Sequence, residues 1–303
     1  MRSILLNISK KVKIWKTEHE SQLKEFRFTL HLLRRNPLSL AGITILFIII
    51  VMAIFAPFIA PYPKDVIETH PTEIFLPPSR EHLMGTDDLG RDIFSRIVFG
   101  ARVSLKIATL VLLISASIGV VLGGIAGYID KLDDIIMRIT DIFLAFPSLL
   151  LAMAIAAALG PSLTNAMIAI SVSWWPWYAR LVRGQILSLK EQPFILAAKA
   201  LGLSRKRIIF RHLLPNCLGV VIIAMSMDAG FVILVAAGLG FIGLGAQPPT
   251  PEWGLMISIG RSYMIVGYWW YATFPGIAIM ITVLGFNLIG DALRDIMDPR
   301  LRR

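Results

Sequence analysis

From Leu38 to Ala60 the chain runs for 23 residues without a charged side chain. As a helix, at about 1.5 Å per residue, that run crosses a bilayer core of roughly 30 Å, where a segment must satisfy its own backbone hydrogen bonds. Ile107 to Gly127 is a second uncharged run, of 21 residues. Ile142 to Ala179 is a third, and its 38 residues are too many for one crossing. Gly160-Pro161 divides it into two antiparallel spans joined by a tight turn. Leu213 to about Gly240 makes a fifth span, interrupted only by Asp228, and Ser262 to Gly290 supplies a sixth from about Ala272. Only 17% of residues are charged and mean hydropathy is +0.70, against about one quarter charged in soluble domains. A soluble enzyme, a disordered chain and a disulfide scaffold are excluded. The lone Cys217 cannot form an internal bridge. The fold class is all-α membrane protein with six transmembrane helices.

The first run is preceded by about 37 basic, amphipathic residues and lacks a small-x-small cleavage site, so it reads as a retained helix. Loop charge sets the orientation. Segments 1–36, 128–138, 180–211 and 291–303 carry 23 Lys and Arg, whereas 61–100, 161–163 and 244–271 carry 5. The positive-inside rule then places both termini in the cytoplasm of a multi-pass cell-membrane protein. The net charge of +10 is topology and needs no nucleic-acid partner. The expected organisation is a basic N-terminal segment 1–37, a first span 38–60 and an extracytoplasmic loop 61–100. A five-helix core 101–293 with a cytoplasmic loop 184–212 follows, then a tail 294–303.

The loop 61–100 holds seven acids and several prolines, too much for a mere turn. Glycines and alternating Asp and Arg in Gly85-Thr86-Asp87-Asp88-Leu89-Gly90-Arg91-Asp92 suggest tight turns and a salt-bridged cap, the plainer alternative being a solvated loop. Loop 184–212 carries six Lys and Arg against Glu191 alone. Phe194 to Gly202 reads as a short amphipathic helix that Gly202 ends or kinks, and Ser204 is placed to cap a second turn through Ile208 and Ile209. Pro215 then suits the first turn of span five. Small residues at Ala197, Ala198 and Gly202 favour insertion into a partner's groove; a helix lying on anionic lipid fits equally.

Ala197-Ala198-x-x-x-Gly202, with x-His212-x-Leu214-Pro215-Asn216 beginning nine residues later, resembles the cytoplasmic loop of ABC-importer permeases. Gly85 to Asp92, Gly240 to Gly254 and Gly290 to Arg300 resemble one subfamily, the C-type permeases of dipeptide, oligopeptide and nickel importers. The resemblance covers about residues 30–303 and implies the type I ABC-importer fold. It implies a coupling helix that docks on ATPase subunits, here through Phe194, Ala197, Ala198, Gly202, Leu203, Arg205, Ile208, Arg211 and His212. It implies contact with an extracytoplasmic binding protein through Gly85, Thr86, Asp87, Gly90, Arg91, Asp92 and Pro161, and a translocation path touching Asp228, Ala236 and Gly240. The implied partners are a homologous permease, two ABC ATPases, the binding protein and membrane lipid. No cofactor is expected on this chain, ATP and Mg belonging to the ATPases. The implied cargo is short peptides, with nickel, glutathione or oligosaccharides open within the subfamily. Leu196 and Ala236 stand where the family usually has Glu.

An acid inside span five costs a few kcal/mol unless used or paired, so Asp228 reads either as pathway-facing or as a structural acid. It lies two helical turns before Ala236 on the same face. Gly119, Gly123 and Gly127, four apart, allow close helix contact, either internally or with a second permease. Trp174, Trp175, Trp177 and Tyr178 read as an interfacial belt, the alternative being a substrate-stacking wall. His212 reads as a structural hydrogen-bonding residue, and Met225, Met227 and Met256 as packing. No Gly-Lys pair occurs, so the chain carries no P-loop, and no Cys-x-x-Cys or Gly-x-Ser-x-Gly occurs either. A stand-alone secondary transporter would need inverted repeats and paired intramembrane charges; an intramembrane enzyme would need a nucleophile with a base, or a metal cluster. Neither pattern is present.

Overall fold

The computed structural model describes residues 36–297. The expected segment 1–37, apart from its last two residues, and most of the tail 294–303 lie outside the described residues.

Asn36 caps α1 (Pro37–Ile54) by accepting from the Leu38 N–H at 2.9 Å, with Pro37 in the first turn where its missing N–H is harmless. The run to Ala60 is not one helix. It breaks at Phe55 ahead of Pro57 and resumes as the single turn α2 (Ala56–Ile59). The guanidinium of Arg102 covers the break, donating to the carbonyls of Ala53 and Ile54.

Asp92 caps α3 (Ile93–Tyr128), accepting from the Ser95 N–H at 2.7 Å. Its 36 residues span about 54 Å, so α3 outruns the bilayer, and the last eight residues of the expected loop 61–100 are helical. α4 (Asp130–Ala145) and α5 (Ser148–Leu159) meet at 90°. The expected straight span from Ile142 is thus bent. Pro147 cannot continue a helix and holds Phe146 extended at φ −92°, ψ 141°. Gly160, at φ +89°, makes the expected turn, and Ser162 caps α6 (Leu163–Leu189).

α3 and α6 pack backbone to backbone. A Cβ on Gly119 would strike Tyr178, one on Gly123 the Ala179 carbonyl, and one on Gly127 would lie 2.7 Å from Ile186 Cβ. The glycine stripe is therefore internal packing.

α7 (Pro193–Ala200) and α8 (Arg205–Ile208) form the next segment, and a π turn, Ile209–Leu213, leads into α9 (Leu214–Ile242). Pro215 lies in the first turn of α9, as expected, but helix already runs into it from Arg205. The proline ring removes the bond to the Arg211 carbonyl and crowds it. The wide turn makes room: the Leu214 N–H bonds back to Ile209, and the Asn216 amide caps the His212 carbonyl at 2.6 Å. α10 (Trp253–Met264) and α11 (Trp270–Met297) complete the chain. Gly245 and Gly254 let the intervening segment fold back against Gly240 and Ala237.

Among the described residues, four helices are long and apolar enough to cross a membrane, namely α1, α3, α8 to α9 and α11; the bent α4–α5 pair makes a fifth. α6, expected as the fourth span, has the length but carries Asn165, Pro176, Arg180 and Arg183. Three ion pairs tie it to α4. Arg183 grips Asp133 with both branches at 2.5 and 2.6 Å, Arg180 meets Asp141, and Lys190 lies 3.6 Å from Asp130. One apolar core joins α3, α5, α6 and α9, and a second joins α1, the start of α3, α10 and α11.

Candidate functional site

Two ends of the bundle and one point within it carry the chemistry. At the end holding residues 61–92, the expected salt-bridged cap is present but turned inward. Asp87 accepts from Arg91 Nε at 2.8 Å and from the backbone of Leu89 and Arg91, with Arg96 Nε at 3.6 Å. Arg96 donates to the Val66 carbonyl at 2.6 Å, and His82 Nδ1 lies 3.0 Å from Asp92 Oδ1. Gly85 and Gly90 make the turns, both at φ +75°. Thr86, Asp87, Arg91 and Asp92 are buried, as are Gly85 and Gly90. The motif therefore fastens the cap to α3 and α11, the latter through Trp270 Nε1 on the Thr86 carbonyl at 3.2 Å and Tyr271 on Asp88 at 2.8 Å. These six residues are not a contact surface, because the charges need one another once desolvated. Of the set expected to meet a binding protein, Pro161 alone is exposed. Glu252, which the sequence reading passed over, caps α10 by accepting from the Gly254 and Leu255 N–H groups at 2.8 and 2.7 Å. Burial pushes its carboxyl above the usual range, and those two donors pull it back only partly. A Pro-x-Pro-Glu-Trp-Gly run ahead of an apolar helix was the available signal.

At the opposite end, α7 and α8 sort their residues into two faces. Ile195, Ala198, Ile208 and Ile209 are buried against α3, α6 and α9. Leu201 is 79% exposed, Phe210 58% and Phe194 45%, with Leu196 and Ala197 also outward. Arg205, Lys206, Arg207 and Arg211 rim this apolar ridge. Of the residues expected to dock on a partner, Phe194, Ala197, Gly202, Arg205 and Arg211 are exposed and Leu203 and His212 half-buried, while Ala198 and Ile208 face the core. Gly202 sits at φ +74° with open space around it, so the backbone and not a close approach requires glycine. Ser204 caps α8 through the Arg207 N–H, as expected. The imidazole of His212 has no hydrogen-bond partner among the described residues; its carbonyl is the group the loop uses.

Within the bundle, Tyr178 donates to Asp228 Oδ2 at 2.7 Å, joining α6 to α9. Tyr178 is fully buried and Asp228 half-buried. The aromatic group expected as a belt is split around α6. Trp175 packs edge-on against Phe143 in the interior, Trp174 meets Phe231, and of the four Trp177 alone is exposed, at 50%. Ala236 and Gly240 are buried beside Glu252, so of the expected path residues Asp228 alone is partly open. It is also the paired acid of the plainer reading.

Residues 119–303 match the family model described as binding-protein-dependent transport system inner membrane component, and residues 22–78 match the N-terminal TM domain of oligopeptide transport permease C. The chain belongs to this family of inner membrane transport components. The dipeptide transport system permease protein DppC of Alkalihalophilus pseudofirmus is 50% identical over 89% of this chain and 88% of its own length. The probable D,D-dipeptide transport system permease protein DdpC of Escherichia coli is 46% identical over 89% and 90%. Inward-facing structures of the MetNI methionine ABC transporter share the fold, at TM-score 0.53 and 22% identity, over 68% of this chain and 98% of that one. The permease fold thus accounts for the four-to-five-span bundle with its projecting α7–α8 segment.

Proposed function

We propose that this inner membrane component is the permease subunit of an ATP-driven importer for short peptides. It crosses the membrane six times, with α6 and the bent α4–α5 pair each counted as a span and both termini in the cytoplasm. It forms a path with a homologous permease, receives peptides from an extracytoplasmic binding protein, and is driven by two ATPases that hold the ATP and Mg. Two relatives above 45% identity named for dipeptide transport support the cargo. The observation that carries the mechanism is the α7–α8 ridge, an apolar strip of Phe194, Ala197 and Leu201 rimmed by cations on a buried base. Ile195 and Ile208 fix that base in the core, so a push on the ridge is delivered to α6 and α9 and is not lost in a flexible loop. ATP binding then favours one of two arrangements of the path through its differential affinity for them.

The test places a tryptophan at Ala197, an exposed helical position. Gly202 is unsuitable, because any side chain there strains the backbone as well as blocking a partner. In the complete transporter, Ala197→Trp should abolish peptide uptake and the ATP hydrolysis stimulated by loaded binding protein, at normal membrane levels. Undiminished stimulated hydrolysis would remove the ridge from the drive.

A further inference from the structure

Four cations from three separate stretches converge on one cleft of about 620 Å³ at the Tyr128 end of α3. Lys131 comes from the start of α4, Lys190 from the end of α6, and Lys199 and Arg205 from α7 and α8. Two are engaged. Lys190 Nζ lies 3.6 Å from Asp130, and Lys199 Nζ lies 3.5 Å from the Lys190 carbonyl and 5.8 Å from the Tyr128 ring centroid. Lys131 and Arg205 have no side-chain partner among the described residues. Two acids, Asp130 and Glu191, share the lining with these four cations, which leaves an excess of two positive charges. A concave wall with an excess of one charge focuses its field inward and concentrates the opposite ion.

Position adds a second constraint. The uncharged run of α3 ends at Gly127, and the cleft opens directly after it, with the Tyr128 ring in its wall. On the topology proposed above, that is the depth of lipid headgroups, where amphipathic aromatics collect. An arginine fork and two ammonium groups suit a tetrahedral oxyanion.

We propose that this cleft is a phosphate-binding site, seating the phosphate of an anionic lipid headgroup or of a soluble phosphate compound between Lys131, Lys199 and Arg205. A bound phosphate links the α3–α4 junction to the back of the α7–α8 ridge, so occupancy stiffens the ridge against its base. The binding step itself requires no partner subunit, although the site shares Arg205 with the ridge read as docking on the ATPases.

The full-length chain is tested in detergent against pyrophosphate by calorimetry. In parallel it is placed in phosphatidylcholine nanodiscs with and without phosphatidylglycerol, and retained lipid is read by native mass spectrometry. The wild type should bind one pyrophosphate, retain one phosphatidylglycerol, or both. Lys131→Gln with Arg205→Gln should weaken that binding about tenfold or more, each single change giving part of the loss, while Arg180→Gln, outside the cleft, leaves it intact. All these positions are exposed or half-exposed, and matching unliganded melting temperatures verify folding. Phosphatidylglycerol retention alone identifies the lipid as the source, and pyrophosphate binding alone identifies a soluble phosphate. Absence of both in the wild type, or wild-type affinity in the double variant, overturns the site. Displacement of bound phosphate by the ATPase subunits in the assembled transporter overturns it in favour of a protein contact.

Discussion

Tyr178→Phe deletes one hydroxyl and leaves the ring and its Cβ packed against Gly119. The hydroxyl it removes donates to Asp228 at 2.7 Å. Hydrogen bonds to charged groups contribute about 1.5–3 kcal/mol in soluble proteins. Interhelical bonds within a membrane bundle average about 0.6 kcal/mol and reach about 1.7. With Tyr178 wholly buried and Asp228 half-buried, the upper part of the membrane range applies, about 1–1.5 kcal/mol. Asp228→Asn keeps an oxygen for the hydroxyl and sheds the charge, so folded protein should hold or rise in level, the cost of placing an ion in the membrane being gone. In the double variant the group that Phe strands is no longer ionised, so Phe should cost less there than in the wild type; a coupling of about 1 kcal/mol is expected. Unfolding of the four purified variants in detergent measures the cycle, with peptide uptake per inserted molecule measured beside it. If Asp228 also meets the charged ends of peptides, Asp228→Asn lowers uptake about tenfold, roughly 1.4 kcal/mol of barrier, at unchanged stability. A cost of Tyr178→Phe that is the same within about 0.3 kcal/mol in both backgrounds would refute the bond's contribution. Unaltered uptake per molecule in the Asn variant would end the pathway role.

For topology, in a Cys217→Ser background, cysteine at Thr72 should react with an impermeant thiol reagent from outside and cysteine at Ser204 should not; the reverse pattern would sink the charge argument. Gly123→Val should leave little folded protein, because its side chain meets the Ala179 backbone with no room to yield, and a normal level of folded variant would refute the α3–α6 contact. Glu252 has a raised carboxyl pKa when folded, so the folded chain keeps that proton to higher pH than the unfolded one, and this part of its stability grows as pH falls through the folded pKa and is lost as pH rises. Glu252→Gln should flatten that slope in thermal unfolding across the acid range, and an unchanged slope counts against the buried, charge-strained cap.

What could be read in advance depended on how local the cause is. Gly160 turns where expected, and Ser204 and Gly202 shape α7–α8 as expected, because capping and positive φ are decided by a few neighbours. The bend at Phe146-Pro147 was not legible. Proline permits it, but the ion pairs from Asp133 and Asp141 to Arg183 and Arg180, about 40 to 50 residues away, hold α4 in place. The aromatic cluster misled because composition cannot say which side of α6 faces in; Gly119 and Gly123 decide that by admitting Tyr178 and Ala179 to the core. In the cap, the alternation of Asp and Arg announced ion pairs but not their burial, which depends on α11 closing over them. The departures at Leu196 and Ala236 also resolve differently: Leu196 is simply exposed on the ridge, while Ala236 is buried next to the carboxyl of Glu252.

The π turn at Ile209–Leu213 has a mechanical consequence. Helix is unbroken from Arg205 to Ile242, so α8, at the edge of the ridge, and Asp228 sit on one shaft, separated by about 30 Å of continuous backbone. Torque applied at α8 reaches the acid along covalent bonds, without a relay of side chains. The shaft has one joint, and Pro215 sets its location, because its ring leaves no room for a regular turn there.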